Sequence, residues 1–401
     1  MKFWKSILTC GILIGALGLV SCSTKQTTKK PEDENPPVVD TEDPIDKNED
    51  SSKEAEYLNL NITYTRTELQ TGSVEDTVDQ IYDSVVAIDA YMNNQHYGSG
   101  SGVLFGYDEK FSYIATCHHV IEGCQGFKII FSNDETIEAK LVGGDSESDI
   151  AVLSVEKTGL TYASWFEDTE KLKLGSSVIC IGNPLGTLPG SVSTGVVSYN
   201  NRVIQVDSYH TMKLIQTDVA INSGNSGGGL FNATGALIGI VNAKYSSSGI
   251  EGLGFAIPAN QARIIINSIL KTARYIVEEN QWETGYVEGR WEIGFTLGYG
   301  GYGFIRTSIG IASAATNPTH SDYGKLQVND KINAITLTYK DPTKEVKSLT
   351  NITAQTMTIE DVYKFIYTAG LSLGDVITFD ITRGNENITI EIPLIQYRYS
   401  C

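Results

Sequence analysis

From Leu58 onward the chain alternates short apolar runs with Gly, Asn and Asp, and this spacing limits the folds that it can adopt. Many short strands separated by turn residues predict an all-β sandwich or barrel rather than a helical or doubly wound α/β fold. Helical spacing is confined to two stretches of this block, Val74–Ser84 and Ala259–Val277. The predicted strands lie within Val85–Ile88, Gly102–Phe105, Phe111–Ala115, Phe127–Phe131, Ile150–Val155 and Ser177–Ile181.

The chain has 401 residues, enough for two domains. A segment rich in Glu, Trp and Gly around 278–288 separates the β-rich block from a second, mixed α/β block. We therefore predict a mainly β domain at 57–280 and a smaller mixed α/β domain at 281–401.

Charge and cysteine content exclude two classes of protein. The chain carries 30 Lys and Arg against 48 Asp and Glu, a formal net charge of −18. A surface this acidic repels a phosphate polymer, so we expect no nucleic-acid partner. Six cysteines in a chain of this length are too few for a small disulfide scaffold.

The N-terminus predicts export. Residues 1–21 join a lysine-containing start to the apolar run Ile7–Val20, which is too short for an ordinary membrane span. The run ends in Leu19-Val20-Ser21-Cys22, which resembles the lipobox of bacterial lipoproteins. The resemblance implies cleavage before Cys22 and lipidation of that residue. The alternatives are a plain signal peptide and an uncleaved anchor.

Residues 22–56 are acidic and nearly free of apolar side chains. Such a segment cannot offset its chain entropy by burial, so we predict a disordered tether. The expected location is the bacterial cell membrane, lipid-anchored, with the folded part on the extracytoplasmic side.

A serine among glycines is the strongest chemical signal. Ser226 lies in Asn222-Ser223-Gly224-Asn225-Ser226-Gly227-Gly228. Glycines permit a sharp turn and leave room for a substrate backbone beside a nucleophile. The turn Gly224-Asn225-Ser226 is the predicted oxyanion hole, in which the N–H groups of Gly224 and Ser226 point at one place. A phosphate-binding loop would need a Gly-Lys-Ser/Thr ending, which is missing.

An activated serine needs a base and an orienting carboxylate. His118 and His119 follow an apolar strand, and Asp149 directly precedes another. The chain order His, Asp, Ser is that of chymotrypsin-like enzymes.

Five motifs in this order resemble the HtrA (Deg) family of trypsin-fold serine proteases, over about residues 74–260. The family resemblance implies two six-stranded β-barrels, with His119 as general base, Asp149 as its orienter and Ser226 as nucleophile. It favours His119 over His118 because the family histidine immediately precedes Val. The motifs are Gly98-Ser99-Gly100-Ser101-Gly102-Val103, Thr116-Cys117-His118-His119-Val120, Asp149-Ile150-Ala151-Val152-Leu153, Gly182-Asn183-Pro184-Leu185-Gly186 and Gly224-Asn225-Ser226-Gly227-Gly228.

In the trypsin fold, the residue six before the nucleophile lies at the base of the specificity pocket. Here it is Ala220, and Ile221 and Ser223 are the other predicted pocket residues. Because an apolar floor cannot compensate a desolvated cation, we expect cleavage after small or medium aliphatic residues. Unfolded or exported proteins are the expected substrates.

The second block resembles a PDZ domain. Glu292, Ile293, Gly294 and Phe295 are predicted to form its carboxylate-binding loop, with an accompanying helix at Ile359–Tyr367. The resemblance implies that peptide C-termini bind by β-augmentation. The alternative is a mixed α/β domain that only packs on the protease.

The resemblance to the HtrA (Deg) family implies an enzyme that needs no cofactor and that can form a homotrimer. Cys117, His118, His119 and Cys124 could be read as a zinc cluster, but they lack paired Cys-x-x-Cys spacing, so we predict no metal. A disulfide between Cys117 and Cys124 stays open. The competing functions are a non-catalytic chaperone or peptide-binding lipoprotein on a protease fold, and a processing protease with a single exported substrate.

Overall fold

A computed structural model describes residues 72–183, 186–206, 211–243, 252–302, 305–315 and 318–399. All of them belong to one compact unit, Glu54–Cys401. The predicted signal peptide, Cys22 and the acidic tether lie outside the described residues. In the part of the chain that is described, no helix is long and apolar enough to cross a membrane.

The first six strands close into an antiparallel barrel in the order β1-β2-β3-β6-β5-β4. All of these strands except β5 overlap with short apolar runs predicted from the sequence, and β3 and β6 are buried along their whole length. The strands are β1 (Val85–Met92), β2 (Gln95–Tyr107), β3 (Ser112–Thr116), β4 (Gly126–Ile130), β5 (Thr136–Asp145) and β6 (Ile150–Val155). Helix α1 (Val74–Ile81) and a 3-10 turn (Tyr82–Ser84) precede the barrel, and helix α2 (His118–Ile121) follows β3.

The next six strands close into a second antiparallel barrel in the order β10-β11-β12-β9-β8-β7. They are β7 (Ser177–Gly182), β8 (Ser191–Gln205), β9 (Thr211–Thr217), β10 (Gly229–Asn232), β11 (Leu237–Val241) and β12 (Gly254–Pro258). A 3-10 turn (Thr169–Lys171) lies between the two sets of strands. The expected fold class, a chymotrypsin-like double six-stranded β-barrel, is confirmed.

Helix α3 (Ala259–Thr272) and a hairpin tie the chain back to the first barrel. Helicity ends at Thr272, earlier than the predicted Val277, because β13 (Arg274–Ile276) pairs with β14 (Gln281–Glu283). Trp282 of β14 lies in the hydrophobic core that spans both barrels, and its Nε1–H donates to Ser154 Oγ over 2.8 Å. The hairpin thus lies across position 280, where the sequence predicts a domain boundary.

The remaining described residues form a second core on an antiparallel sheet with one helix. The sheet runs β15-β16-β17-β19-β20, and β18 pairs with β17. The predicted helix Ile359–Tyr367 is present as α4, and its N-terminus has a capping box between Thr358 and Asp361. The strands are β15 (Thr296–Tyr302), β16 (Ile305–Ser313), β17 (Lys331–Thr338), β18 (Lys347–Leu349), β19 (Val376–Arg383) and β20 (Glu386–Pro393).

Candidate active site

Ser226 lies on a tight turn just before β10. The Asn225 N–H donates to Asn222 O over 3.0 Å, and Gly227 has φ +85°. A Cβ at Gly227 would lie 2.1 Å from Ser101 O, so only glycine fits there. The Ser101 N–H donates to Ser226 O over 2.8 Å, and strand β2 of the first barrel therefore holds the turn of the second.

His119 is held by the turn between β5 and β6. Asp149 ends that turn with φ +55°, a left-handed conformation that Asp tolerates better than most residues. Its backbone O accepts from the His118 N–H over 3.1 Å, and its Oδ1 accepts from the His119 N–H over 2.9 Å. Backbone and side chain of one aspartate thus fix the start of α2.

The three side chains form a hydrogen-bonded chain. His119 Nδ1 lies 2.7 Å from Asp149 Oδ2, and His119 Nε2 lies 2.9 Å from Ser226 Oγ. The Asp149 side chain is 3% exposed and that of His119 is 21% exposed. The arrangement can move a proton from the hydroxyl to the imidazole, while a buried carboxylate stabilises the imidazolium.

Asn242 was not found from the sequence. It directly follows β11, and its Nδ2 donates to Asp149 Oδ2 over 2.7 Å. Asp149 Oδ2 therefore accepts from Asn242 as well as from the imidazole. No signal in the sequence separates this Asn from an ordinary loop residue.

The N–H groups on the serine turn differ in their availability. The Asn225 N–H is used within the turn. The N–H groups of Gly224 and Ser226 have no acceptor among the described residues. They are the donors that the turn offers to a developing oxyanion, whereas Asn225 supports the turn through its Nδ2, which donates to Ala220 O over 3.3 Å.

The predicted pocket residues lie on the stretch that precedes the turn. A cavity of about 310 Å³ is lined by Asp218, Val219, Ala220, Ile221, Asn222, Gly252 and Leu253. Ile221 Cδ1 lies 2.6 Å from the position of a Cβ on Gly254, so the isoleucine fills the space that this glycine leaves. Ser223 is exposed and, among the described residues, lies outside this lining.

His118 occupies an environment unlike that of His119. It is buried, and burial lowers the pKa of its imidazole. Its ring packs edge-on against Tyr399 with centroids 4.3 Å apart. Within the described ranges, its Nε2 has no hydrogen-bond partner. Of the two adjacent histidines, it is His119 whose ring nitrogens lie within hydrogen-bond distance of Asp149 and Ser226.

Three cysteines are described, Cys117, Cys124 and Cys180, and no disulfide joins any two of them. The Cys117 Sγ–H donates to Val241 O over 3.3 Å. Its sulfur, a His119 ring nitrogen and an Asp149 carboxylate oxygen all lie within 4.8 Å of one another.

The segment predicted to bind peptide ends is occupied by the chain itself. The Gly294 N–H donates to Asp322 Oδ1 over 2.7 Å, and Ile293 and Phe295 are buried. Beside it, the Leu297 N–H of β15 donates to the Tyr363 hydroxyl of α4 over 2.9 Å. A peptide carboxylate at Gly294 would have to displace Asp322. Peptide binding by Glu292, Ile293, Gly294 and Phe295 stays a prediction.

Glu292 instead faces the turn that carries Asp149. Ser146 Oγ of that turn donates to Glu292 Oε2 over 3.1 Å, and burial raises the pKa of Glu292 to about 7. Arg290 Nε lies 3.2 Å from Asp145 Oδ1, and its Nη1 lies 2.7 Å from Glu147 Oε2. These contacts join the C-terminal block to the turn beside a cavity of about 470 Å³.

Residues 100–240 match the family described as trypsin-like peptidase domain. A protein named serine protease Do-like HtrB, from Bacillus subtilis, is 39% identical over 220 residues, which cover 50% of this chain and 48% of that protein. The serine protease Do-like HtrA of Lactobacillus helveticus is 36% identical over 217 residues, which cover 51% of this chain and 52% of that protein. A do/HhoA-like protein of Haemophilus influenzae, named as a probable periplasmic serine protease, is 42% identical over 175 residues. These cover 43% of this chain and 37% of that protein.

The chain spans about half the length, or less, of these curated relatives. The family match, residues 100–240, falls within the part that forms the two barrels. This part of the chain matches a trypsin-like peptidase domain, and it is similar in sequence to the HtrA/Do serine proteases.

Proposed function

We propose that the protein is a serine endopeptidase that cleaves misfolded or exported proteins by acyl transfer. Ser226 Oγ attacks the peptide carbonyl, and His119 Nε2 accepts its proton. Asp149 holds the imidazole in the required tautomer. The N–H groups of Gly224 and Ser226 receive the oxyanion, and water then releases the acyl-enzyme. The continuous Asp149–His119–Ser226 hydrogen bonding carries this proposal.

The pocket supports a preference for small or medium aliphatic residues before the cut. Its walls at Val219, Ala220, Ile221 and Leu253 bring no cation partner to a buried lysine or arginine. Asp218 Oδ1 already accepts from the Val196 N–H over 2.7 Å, and its side chain is exposed. A peptide panel that shows preferred cleavage after Arg or Lys would contradict this preference.

We place the protease on the extracytoplasmic side of a bacterial membrane, lipid-anchored through Cys22. The lipobox-like sequence supports the anchor, and the periplasmic relative supports the compartment. Palmitate labelling of cells that produce the full chain tests the anchor. Label should enter the wild type and not the Cys22→Ala variant.

Casein hydrolysis by the full chain tests the activity. We expect the wild type to hydrolyse casein and the Ser226→Ala variant to lose about four orders of magnitude of the rate. A wild type as inactive as Ser226→Ala, but still able to suppress aggregation of an unfolded client, would instead indicate the non-catalytic chaperone.

A further inference from the structure

Cys117 places a thiol beside the catalytic pair, and the proposed mechanism does not use it. Its sulfur is fully buried at the start of α2 and donates to Val241 O over 3.3 Å. A ring nitrogen of His119 and a carboxylate oxygen of Asp149 lie within 4.8 Å of it and of each other. Thiolate, imidazole and carboxylate are the three ligand types that Zn²⁺ takes in proteins.

Although the spacing of cysteines in the sequence predicts no metal, we propose that Cys117, His119 and Asp149 form an inhibitory site for a thiophilic divalent cation such as Zn²⁺ or Cd²⁺. The inference concerns regulation of the same catalytic site and rests on the proposed function for its effect on activity. Metal binding itself does not depend on that function.

The spacing is close to what a tetrahedral ion needs. Bonds of about 2.3 Å to sulfur and about 2.0–2.2 Å to nitrogen and oxygen separate the ligands by roughly 3.4–3.7 Å. The Nδ1–Oδ2 distance of 2.7 Å must therefore open slightly, and the sulfur must move inward. Three protein ligands leave a fourth position for water, as in zinc sites with an open position.

Inhibition follows from where the proton of the His119 imidazole lies once a metal ion is bound. In the catalytic arrangement the imidazole is protonated on Nδ1, which donates to Asp149 Oδ2, and Nε2 accepts from Ser226 Oγ. A metal ion on Nδ1 moves that proton to Nε2, so the imidazole stays neutral but becomes a donor to Ser226. The Cys117 thiol loses its proton to solvent when the sulfur binds the ion. His119 then cannot take the serine proton.

A metal ion from solvent reaches the proposed ligands past the His119 side chain. Cys117 and Asp149 are buried, whereas the His119 side chain is 21% exposed toward solvent. An ion must displace the imidazole before it reaches the sulfur. We therefore expect inhibition that develops slowly and is reversed by a chelator.

The activity test compares the full chain with Cys117→Ser and with Cys124→Ser, a matched change at the other buried thiol near α2. Each rate of peptide hydrolysis is expressed relative to the same variant without metal. Zn²⁺ should inhibit the wild type and Cys124→Ser alike, and inhibit Cys117→Ser at least about tenfold more weakly. Mg²⁺, which prefers oxygen ligands, should not inhibit. Equal inhibition of all three chains by Zn²⁺ would overturn the proposal.

A second measurement separates the metal site from the enzymatic proposal. Cd²⁺ is added to full-length Ser226→Ala, which keeps all three ligands, and thiolate-to-metal charge-transfer absorption is recorded. We expect the band in Ser226→Ala and its loss in the double variant with Cys117→Ser. An inactive wild type with this band would refute the protease and leave the metal site standing. An active wild type without the band would refute the metal site alone.

Discussion

The ring of Tyr399 packs edge-on against the ring of His118, with centroids 4.3 Å apart, directly beside His119, the proposed general base. The Tyr399 hydroxyl accepts from the Gly123 N–H over 2.9 Å and donates to Ile121 O over 3.2 Å. The C-terminal segment thereby fixes both the start and the end of α2. The helix that carries the proposed base is thus supported from 278 residues away in the chain.

We expect Tyr399→Phe to lower the free energy of unfolding by about 1–2 kcal/mol, because the Gly123 N–H loses its partner. Tyr399→Ala should cost roughly 3 kcal/mol or more, since a buried ring is removed as well. Urea denaturation measures both changes. A Tyr399→Ala chain as stable as the wild type would show that the segment does not support α2.

Asn242→Ala should reduce kcat while leaving KM nearly unchanged. The Nδ2–H that it removes stabilises the Asp149 carboxylate, and a hydrogen bond to a charged group contributes about 1.5–3 kcal/mol, or roughly 10- to 100-fold in rate. Asn242→Asp should be worse still, because it puts a second carboxylate against the first. Steady-state peptide kinetics test this. Unchanged kcat in Asn242→Ala would remove Asn242 from the positioning network.

Ile221→Ala should widen the specificity pocket. The isoleucine fills the space beside Gly254, so its loss should raise kcat/KM for Leu or Phe relative to Ala on the order of tenfold. Ser223→Ala, on the same stretch but outside the described lining, is the matched control and should keep the wild-type preference. An unchanged ratio in Ile221→Ala would place the pocket elsewhere.

Glu292 should make stability fall as pH rises from about 5 to 8. Its pKa is about 7 in the folded chain and 4.5 when exposed, so the folded state holds the extra proton in this range. Deprotonation puts a charge in a half-buried position near Asp145 and Glu122. The loss should be about 1–3 kcal/mol.

Urea denaturation at pH 5 and pH 8 measures the effect. In Glu292→Gln the part of the pH dependence due to this carboxyl should disappear, whereas Glu288→Gln, an exposed carboxylate on the same segment, should keep it. Identical pH profiles for Glu292→Gln and the wild type would contradict the assignment of the proton to Glu292.

The sequence predicted what local patterns can encode. Short apolar runs predicted five strands of the first barrel and β7 of the second, and the order of His119, Asp149 and Ser226 indicated Ser-His-Asp chemistry. Strands β5 and β8–β12 were not predicted. Asn242 and Tyr399 were missed because their contacts with Asp149 and with α2 join distant parts of the chain and leave no local pattern.

The end of α3 was misplaced for a related reason. Apolar residues continue beyond Thr272 at helical spacing, but Arg274–Ile276 pairs with Gln281–Glu283 instead. Tertiary pairing therefore decided a segment that local propensity left ambiguous. Similarly, no pattern near Gly294 in the sequence predicts that Asp322 accepts the Gly294 N–H.

Reaction of the full chain with a fluorophosphonate, followed by mass spectrometric mapping of the adduct, tests the central claim most directly. A serine activated by His119 should be modified at Ser226, and His119→Ala should slow that reaction by several orders of magnitude. An adduct elsewhere, or one that forms on Ser226 equally fast without the imidazole, would contradict the account.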